Sequence, residues 1–299
     1  MSHPKTRIAP TPSGFLHLGN VFSFAITWAL ARQASGSIVL RIDNLDNARF
    51  RPEYVQDIFD TLSFLGIEYD EGPRSLEEFL YLESHPPRQH LCEALLSQLL
   101  EKGMLYACTC SRSQMAHTPE GGDHHVCLEQ ALPFNTPGAA WRVKIPYDME
   151  VEFEDLLLGH VAVPLGKEMP DVIVRKKDHQ PSYQIASLCE DIQMGCNLVV
   201  RGEDLLPSTA TQLYLASLTH QLSFTQTTFV HHPLIKNAIG EKLSKSRGET
   251  SIQYLRKNGS TSQEIWGLIS RKMGWEHPAK GADDFLERFR LGQLAGLAS

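Results

Sequence analysis

Short runs of β-forming residues alternate with stretches of helical period along most of the chain. That alternation restricts it to a layered α/β fold with a parallel sheet. Residues 37–42 are an apolar run of strand length, and residues 52–67 follow with Tyr54, Val55, Ile58, Phe59, Leu62 and Leu65 at helical spacing. Residues 87–104 carry Leu91, Leu95, Leu96, Leu99 and Leu100 on one stripe, with Gly103 placed as a helix stop. Downstream the pattern predicts strands at 171–175, 197–201 and 228–235 and helices at 183–194 and 209–218. In the second helix Thr209 and Gln212 have the spacing of a capping box. Nucleotide ligands of such sheets bind at the carboxyl ends of the strands.

Residues 106–170 break the alternation with three cysteines, several prolines and a Gly-Gly-Asp-His-His cluster, as an insertion would. From 247 the chain turns helical again, with Ile265, Leu268, Ile269 and Met273 at helical spacing. The expected division is therefore 1–105 and 171–246 as halves of one sheet domain, 106–170 as the insertion, and 247–299 as a short helical appendage. At 299 residues, 42% hydrophobic and 21% charged, the chain is not a disordered one. Its longest apolar run, residues 21–31, contains Ser23 and Thr27, too short and too polar for a spanning helix, so no membrane partner is expected. Residues 1–12 lack the apolar stretch of a signal peptide. Six cysteines in this length do not make a disulfide framework, so the expected compartment is the reducing cytoplasm. A formal charge of −7 argues against a generally basic nucleic-acid binder but leaves room for local basic patches.

Two motifs carry chemistry. The first runs Arg7-Ile8-Ala9-Pro10-Thr11-Pro12-Ser13-Gly14-Phe15-Leu16-His17-Leu18-Gly19-Asn20 and opens an apolar helix. A helix N-terminus offers unpaired N–H groups to an anion, Gly19 permits close approach of a ligand, and His17 can donate to a phosphate oxygen. The second is Lys242-Leu243-Ser244-Lys245-Ser246, between Gly240 and Gly248. Its two lysines can converge on one polyphosphate. Each alone is also compatible with a plain corner or a solvated basic loop; in this order and this far apart they are specific.

The pair resembles the His-Ile-Gly-His and Lys-Met-Ser-Lys-Ser signatures of class I aminoacyl-tRNA synthetases, with Asn20 and Leu243 as the departures, both common in the glutamyl subgroup. Residues 41–46 (Arg-Ile-Asp-Asn-Leu-Asp), 183–186 (Tyr-Gln-Ile-Ala) and 200–206 (Val-Arg-Gly-Glu-Asp-Leu-Leu) extend the resemblance across most of residues 7–248. It implies a Rossmann-like parallel-sheet catalytic domain. Because only a short tail follows, the chain is most similar to the glutamyl-queuosine tRNA(Asp) synthetase family. Members activate glutamate with ATP and Mg²⁺ and attach it to queuosine at the wobble position of tRNA(Asp). The competing expectations are a truncated glutamyl-tRNA synthetase that charges the tRNA 3′ end, and a synthetase-like protein that binds RNA or a nucleotide without catalysis. A monomer is the expected state.

Two steps follow from the resemblance: adenylate formation, then transfer, with no enzyme nucleophile. Catalysis then rests on positioning and on charge stabilisation at the phosphates. His17, Lys242 and Lys245 are the expected catalytic residues. Gly14, His17, Gly19, Asn20 and Lys245 are expected at ATP, and Arg7, Ala9, Thr11, Asp43, Tyr183 and Arg201 at glutamate. Arg7 and Arg201 bring positive charge that can grip a carboxylate. Asp43 stands where the family has glutamate facing the substrate ammonium. Outside that context Arg7, Arg201 and Asp43 are equally structural ion-pairing residues, with Arg41 and Asp43 a pair on one strand face.

Cys108, Cys110 and Cys127 suggest a structural zinc, which takes four N or S ligands, or else three reduced thiols. The family site has two cysteines, a tyrosine and a third cysteine, and the tyrosine aligns with Asp123. His125 is the chosen fourth ligand, with His124 and Asp123 as the alternatives. Cys92, Cys189 and Cys196 are expected as core thiols. For tRNA contact the basic candidates are Arg175-Lys176-Lys177, Arg247, Arg256-Lys257 and Arg271-Lys272, each equally a solvated face. Trp266 and Trp275 are possible stacking platforms, with core packing as the other explanation.

Overall fold

Strands β1 (Lys5–Ile8) and β2 (Ser37–Leu40) pair in parallel and are joined by helix α1 (Leu18–Gln33). In this computed structural model the described residues are 3–44, 50–84, 88–111, 127, 130–235 and 251–297. Strands β8 (Leu198–Gly202) and β9 (Thr228–His232) also pair in parallel along their whole length. Asn197 stitches the two pairs together: its Oδ1 accepts from the Lys5 amide at 2.7 Å and its own amide donates to the Lys5 carbonyl at 2.9 Å. On the far side β5 (Val151–Asp155) runs parallel to β9 at Asp155, and its hairpin partner β6 (Gly159–Val163) closes the edge. The resulting layer has the order β2, β1, β8, β9, β5, β6, an α/β fold with a parallel core as expected. β3 (Leu105–Cys108), β4 (Ala140–Val143) and β7 (Ile173–Arg175) form a separate antiparallel sheet. Residues 106–170 thus carry the thiol cluster and also lend β5 and β6 to the main layer.

α1 is apolar nearly all round, and nine of its residues are buried, from Val21 to Ala31. A helix of that kind must be covered on both sides. The sheet covers one side and the C-terminal helices cover the other. Trp266, on the Ser262–Lys272 helix, is fully buried; its Nε1 donates to the Leu65 carbonyl at 3.0 Å and its rings lie against Trp28 and Phe285. The core-packing explanation therefore holds for Trp266. Gln33 at the end of α1 donates to the carbonyls of Leu286 and Phe289, both at 2.8 Å. No helix among the described residues is long and apolar enough to cross a membrane.

The expected helix at 52–67 is α2 (Pro52–Leu65), stopped by Gly66 at φ 67°, where a glycine costs nothing. The helix expected at 209–218 begins earlier, at Leu206, because Pro207 is preset for a first helical turn. Thr209 and Gln212 are then interior to the helix, and their side chains serve the cavity described below instead of a cap.

Replacing Trp266 by alanine removes a fully buried indole and its hydrogen bond. The expected loss is about 3–5 kcal/mol of unfolding free energy, read by urea denaturation. A loss below about 1 kcal/mol would show that the C-terminal helices are not part of the core.

Candidate functional site

A cavity of about 510 Å³ opens at the carboxyl ends of β1, β8 and β9, beside the N-terminus of α1. Arg7, Ala9, Thr11, His17, Gly19, Asn20, Asp43, Tyr183 and Arg201 all line it, together with Arg41, Asp204 and His232. Among the expected ligand-binding residues that are described, Gly14 alone is not in its lining. Lys242, Lys245 and His125 lie outside the described residues. A larger groove of about 690 Å³ lies between α2 and Arg32. Its Arg32 and Arg256 are already paired with Asp70 and Asp60, so the smaller cavity is the better candidate.

His17 is the N-cap of α1. Its Nδ1 accepts from the Gly19 amide at 3.1 Å, while Asn20 Oδ1 accepts from the His17 amide at 3.0 Å. Asparagine in place of a second histidine therefore closes a reciprocal capping box. An accepting Nδ1 puts the neutral ring's proton on Nε2, the tautomer that can donate to a phosphate. A Cβ at Gly19 would stand 3.0 Å from His17 Cε1 and 3.1 Å from Nδ1, close enough to crowd the capping ring.

The cavity floor is a buried charge cluster centred on Asp191, in the Tyr183–Gln193 helix. Asp191 Oδ1 accepts from Arg7 Nε at 2.9 Å and Arg41 Nη1 at 2.7 Å, and its Oδ2 lies 3.8 Å from Arg201 Nη2. Burial opposes ionisation, but Arg7, Arg41 and Arg201 outweigh it and hold this carboxyl below the usual carboxylate range. Arg41 is fully engaged, with Asp43, Ser187 and Glu190 as further partners. The Arg41–Asp43 pair read from their spacing does form, but it is buried and not on the surface. Arg41 Nε and Nη2 reach the two Asp43 oxygens at 2.8 and 3.2 Å. Burial pushes the Asp43 carboxyl up, against the pull of Arg41.

Arg201 is held differently. Its Nη1 donates to Gln212 Oε1 at 3.0 Å and Thr209 Oγ1 at 3.2 Å. Its Nε and Nη2 are buried without a hydrogen-bond partner. Burial accordingly lowers its pKa. A guanidinium with one edge anchored and one edge unsatisfied is ready for a bidentate carboxylate. Asp191, Thr209 and Gln212 were missed from sequence. The one signal for Asp191 was an acidic pair, Glu190-Asp191, in an otherwise uncharged helix.

The thiols of Cys108, Cys110 and Cys127 lie within 4.8 Å of one another, with Cys110 and Cys127 Sγ at 3.5 Å. Thiolates sharing a zinc at about 2.3 Å sit roughly 3.8 Å apart. The three therefore fit a metal. All six cysteines are unpaired by disulfides, and Cys92, Cys189 and Cys196 are buried as expected. Several basic candidates have structural partners: Arg256 pairs with Asp57 at 2.7 Å, Lys177 donates to the Thr109 carbonyl, and Arg175 covers the Trp141 ring.

Parallel strands, a capped helix N-terminus at their carboxyl end and a buried arginine cluster beneath make this cavity the candidate site of a class I synthetase fold. Residues 4–291 match the family of class I tRNA synthetases (E and Q), catalytic domain, and the chain belongs to that family. It is similar to the glutamate–tRNA ligase of Aquifex aeolicus, 32% identical over 300 residues, which cover 95% of this chain and 60% of that one. It is also 33% identical over 316 residues to the glutamate–tRNA ligase of Parasynechococcus marenigrum, at 99% and 62% coverage. The chain thus spans about three-fifths of the length of these relatives. Among solved structures it shares its fold with a glutamate-tRNA synthetase from Elizabethkingia anophelis (TM-score 0.77, 22% identity, 98% of this chain and 67% of that one). The methionyl-tRNA synthetase of Mycobacterium tuberculosis shares it less closely (TM-score 0.52, 12% identity, 89% and 63%).

The depressed Asp191 carboxyl contributes stability that is fully present above about pH 4 and is lost as pH falls through its lower folded value. Burial also lowers the pKa of His231, on β9. Its contribution therefore begins to fall below about pH 6.5. Urea midpoints measured at stepped pH are expected to drop on acidification in both windows. Asp191→Asn is expected to cost about 3–5 kcal/mol at pH 7, because three guanidiniums lose their shared counter-charge. Wild-type stability in that variant would remove Asp191 as the centre of the cluster.

Proposed function

We propose that this protein activates glutamate with ATP and transfers the glutamyl group to tRNA, and that its acceptor is queuosine at the wobble position of tRNA(Asp). The observation that carries the glutamate assignment is Arg201: a buried cation in the cavity with Nε and Nη2 unsatisfied. Membership of the class I (E and Q) family supports ATP-dependent activation. For the acceptor, support comes from the sequence resemblance to glutamyl-queuosine tRNA(Asp) synthetases.

In this reading Arg201 and Arg7 receive the side-chain carboxylate of glutamate, Asp43 faces its ammonium, and Tyr183, Ala9 and Thr11 bound the pocket. The α-carboxylate oxygen attacks the ATP α-phosphorus, the bond to the β-phosphate bridge breaks, and pyrophosphate leaves. His17 Nε2–H, the Asn20 side-chain amide and the backbone near Gly14 bind the phosphates, and Gly19 leaves room for their close approach. Lys242 and Lys245 neutralise charge on the departing pyrophosphate. Mg²⁺ bound to the triphosphate would add further charge neutralisation. A hydroxyl of the queuosine ring then attacks the glutamyl carbonyl, AMP leaves, and the hydroxyl proton passes to solvent. Cys108, Cys110, Cys127 and His125 would hold a structural zinc that braces β3. The working unit is a monomer in the cytoplasm.

The deciding experiment follows radiolabelled glutamate onto three tRNA(Asp) samples, with ATP and Mg²⁺: fully modified, lacking queuosine, and with queuosine but lacking the 3′-terminal adenosine. Label is expected on the first and third and not on the second. Label on the second but not the third would assign the 3′ end as acceptor. Label on none, with no glutamate-dependent pyrophosphate exchange, would overturn glutamate activation.

Lys245→Ala is expected to reduce pyrophosphate exchange at least a hundredfold while leaving the thermal midpoint unchanged, the scale of losing one preorganised charge at a phosphoryl transition state. Exchange at the wild-type rate would remove this lysine from the phosphate site.

A further inference from the structure

A chain of hydrogen bonds runs from the main sheet to Arg201 and uses residues that no step above employs. It begins at Asp155, the last residue of β5. Asp155 Oδ1 accepts from the amides of Leu157 and Leu158, both at 2.9 Å. Its Oδ2 accepts from the His231 amide at 3.0 Å and lies 2.7 Å from His231 Nδ1. Both residues are buried. His231 Nε2 lies 2.8 Å from Thr209 Oγ1, and that oxygen is the one reached by Arg201 Nη1.

The proton directions follow from donor and acceptor chemistry. Asp155 is held ionised by its four hydrogen bonds, so Nδ1 of His231 is the donor between them. The neutral ring then has a bare Nε2, which must accept. The one hydrogen available to it is the Thr209 hydroxyl proton. With that proton turned toward His231, Thr209 Oγ1 presents a lone pair to Arg201 Nη1. In the opposite tautomer a bare Nδ1 would face the Asp155 carboxylate at 2.7 Å, lone pair against lone pair. The carboxylate at the sheet edge therefore sets the polarity of the whole chain.

We propose that His231, oriented by Asp155, is a positioning residue that acts through Thr209 to anchor one edge of Arg201 and so keep Nε and Nη2 presented to the carboxylate of the amino-acid substrate. This rests on the glutamate assignment above. Gln212 Oε1 shares Nη1 and supports the same edge. The arrangement follows the general pattern in which a partner behind a binding side chain fixes its orientation.

The test is isothermal titration of L-glutamate into wild-type protein, Thr209→Val and Thr209→Ser, with ATP titrated in parallel. Valine keeps the shape and removes the acceptor; serine restores it. Thr209→Val is expected to weaken glutamate at least tenfold and to leave ATP affinity within twofold, while Thr209→Ser binds glutamate within threefold of wild type. Glutamate affinity unchanged in Thr209→Val would overturn the positioning role and leave the glutamate assignment standing. Equal losses for glutamate and ATP in both variants would also overturn it, as general damage. Absence of glutamate binding by wild type would overturn the glutamate assignment, and the positioning role with it. A second measurement does not depend on any variant folding. Nitrogen-15 spectra of histidine-labelled wild-type protein at neutral pH should show His231 protonated at Nδ1 and bare at Nε2. A proton on Nε2 would overturn the chain's polarity.

Discussion

The shared carboxylate of Asp191 is the contact on which the site depends. Arg7 comes from β1, Arg41 from just beyond β2, and Arg201 from β8, three neighbouring strands of one parallel layer. Their side chains converge below the carboxyl ends of those strands, where three guanidiniums would repel one another. The carboxylate of Asp191, common to all three and set on a helix packed against the sheet, makes that convergence tolerable, with Asp43 and Glu190 beside Arg41. Burying such charges is costly, and apolar residues of similar size would hold a core at least as well. The cluster therefore makes sense as the floor of a binding cavity more than as a source of stability.

Each cation has a distinct share in that floor. Arg41 is saturated by Asp43, Ser187, Glu190 and Asp191 and works as a strut. Arg7 is bound through Nε to Asp191 and through Nη1 to the Val200 carbonyl, tying β1 to β8. Of the three, Arg201 alone keeps two buried nitrogens without a hydrogen-bond partner. Above them the α1 N-terminus is held by the His17–Asn20 box, so the helix end and the arginine end of the cavity are both set by rigid elements.

Much of this was legible in advance. The strands at 37–42, 197–201 and 228–235 and the helices at 52–67 and 183–194 stand where periodicity put them, because each buries a continuous apolar face. Residues singled out from the first loop motif, from 41–46 and from 183–206 meet in one cavity, apart from Gly14, and the second motif lies outside the described residues. The failures are equally physical. Thr209 and Gln212 have the spacing of a helix cap, and local spacing cannot show that Pro207 starts the helix sooner. The β5–β6 hairpin had a signal that went unused: Met149-Glu150-Val151-Glu152-Phe153-Glu154 alternates apolar and charged residues as a strand does. Arg256 looked like an RNA contact, and only packing against α2 reveals Asp57 as its partner.

By itself the sequence determined the α/β class, the apolar helix that opens after the Pro- and Gly-limited loop, the family, and most side chains that line the cavity. These are local properties: period, turn chemistry and motif order are written within a few residues of one another. Only the tertiary structure decided how the charges are shared. Asp191 lies 184 residues from Arg7 and 150 from Arg41, and Asp155 lies 76 from His231. Which carboxylate neutralises which cation, and which edge of Arg201 stays unsatisfied, depends on strand order and helix docking, and those are set by long-range burial that no local pattern encodes.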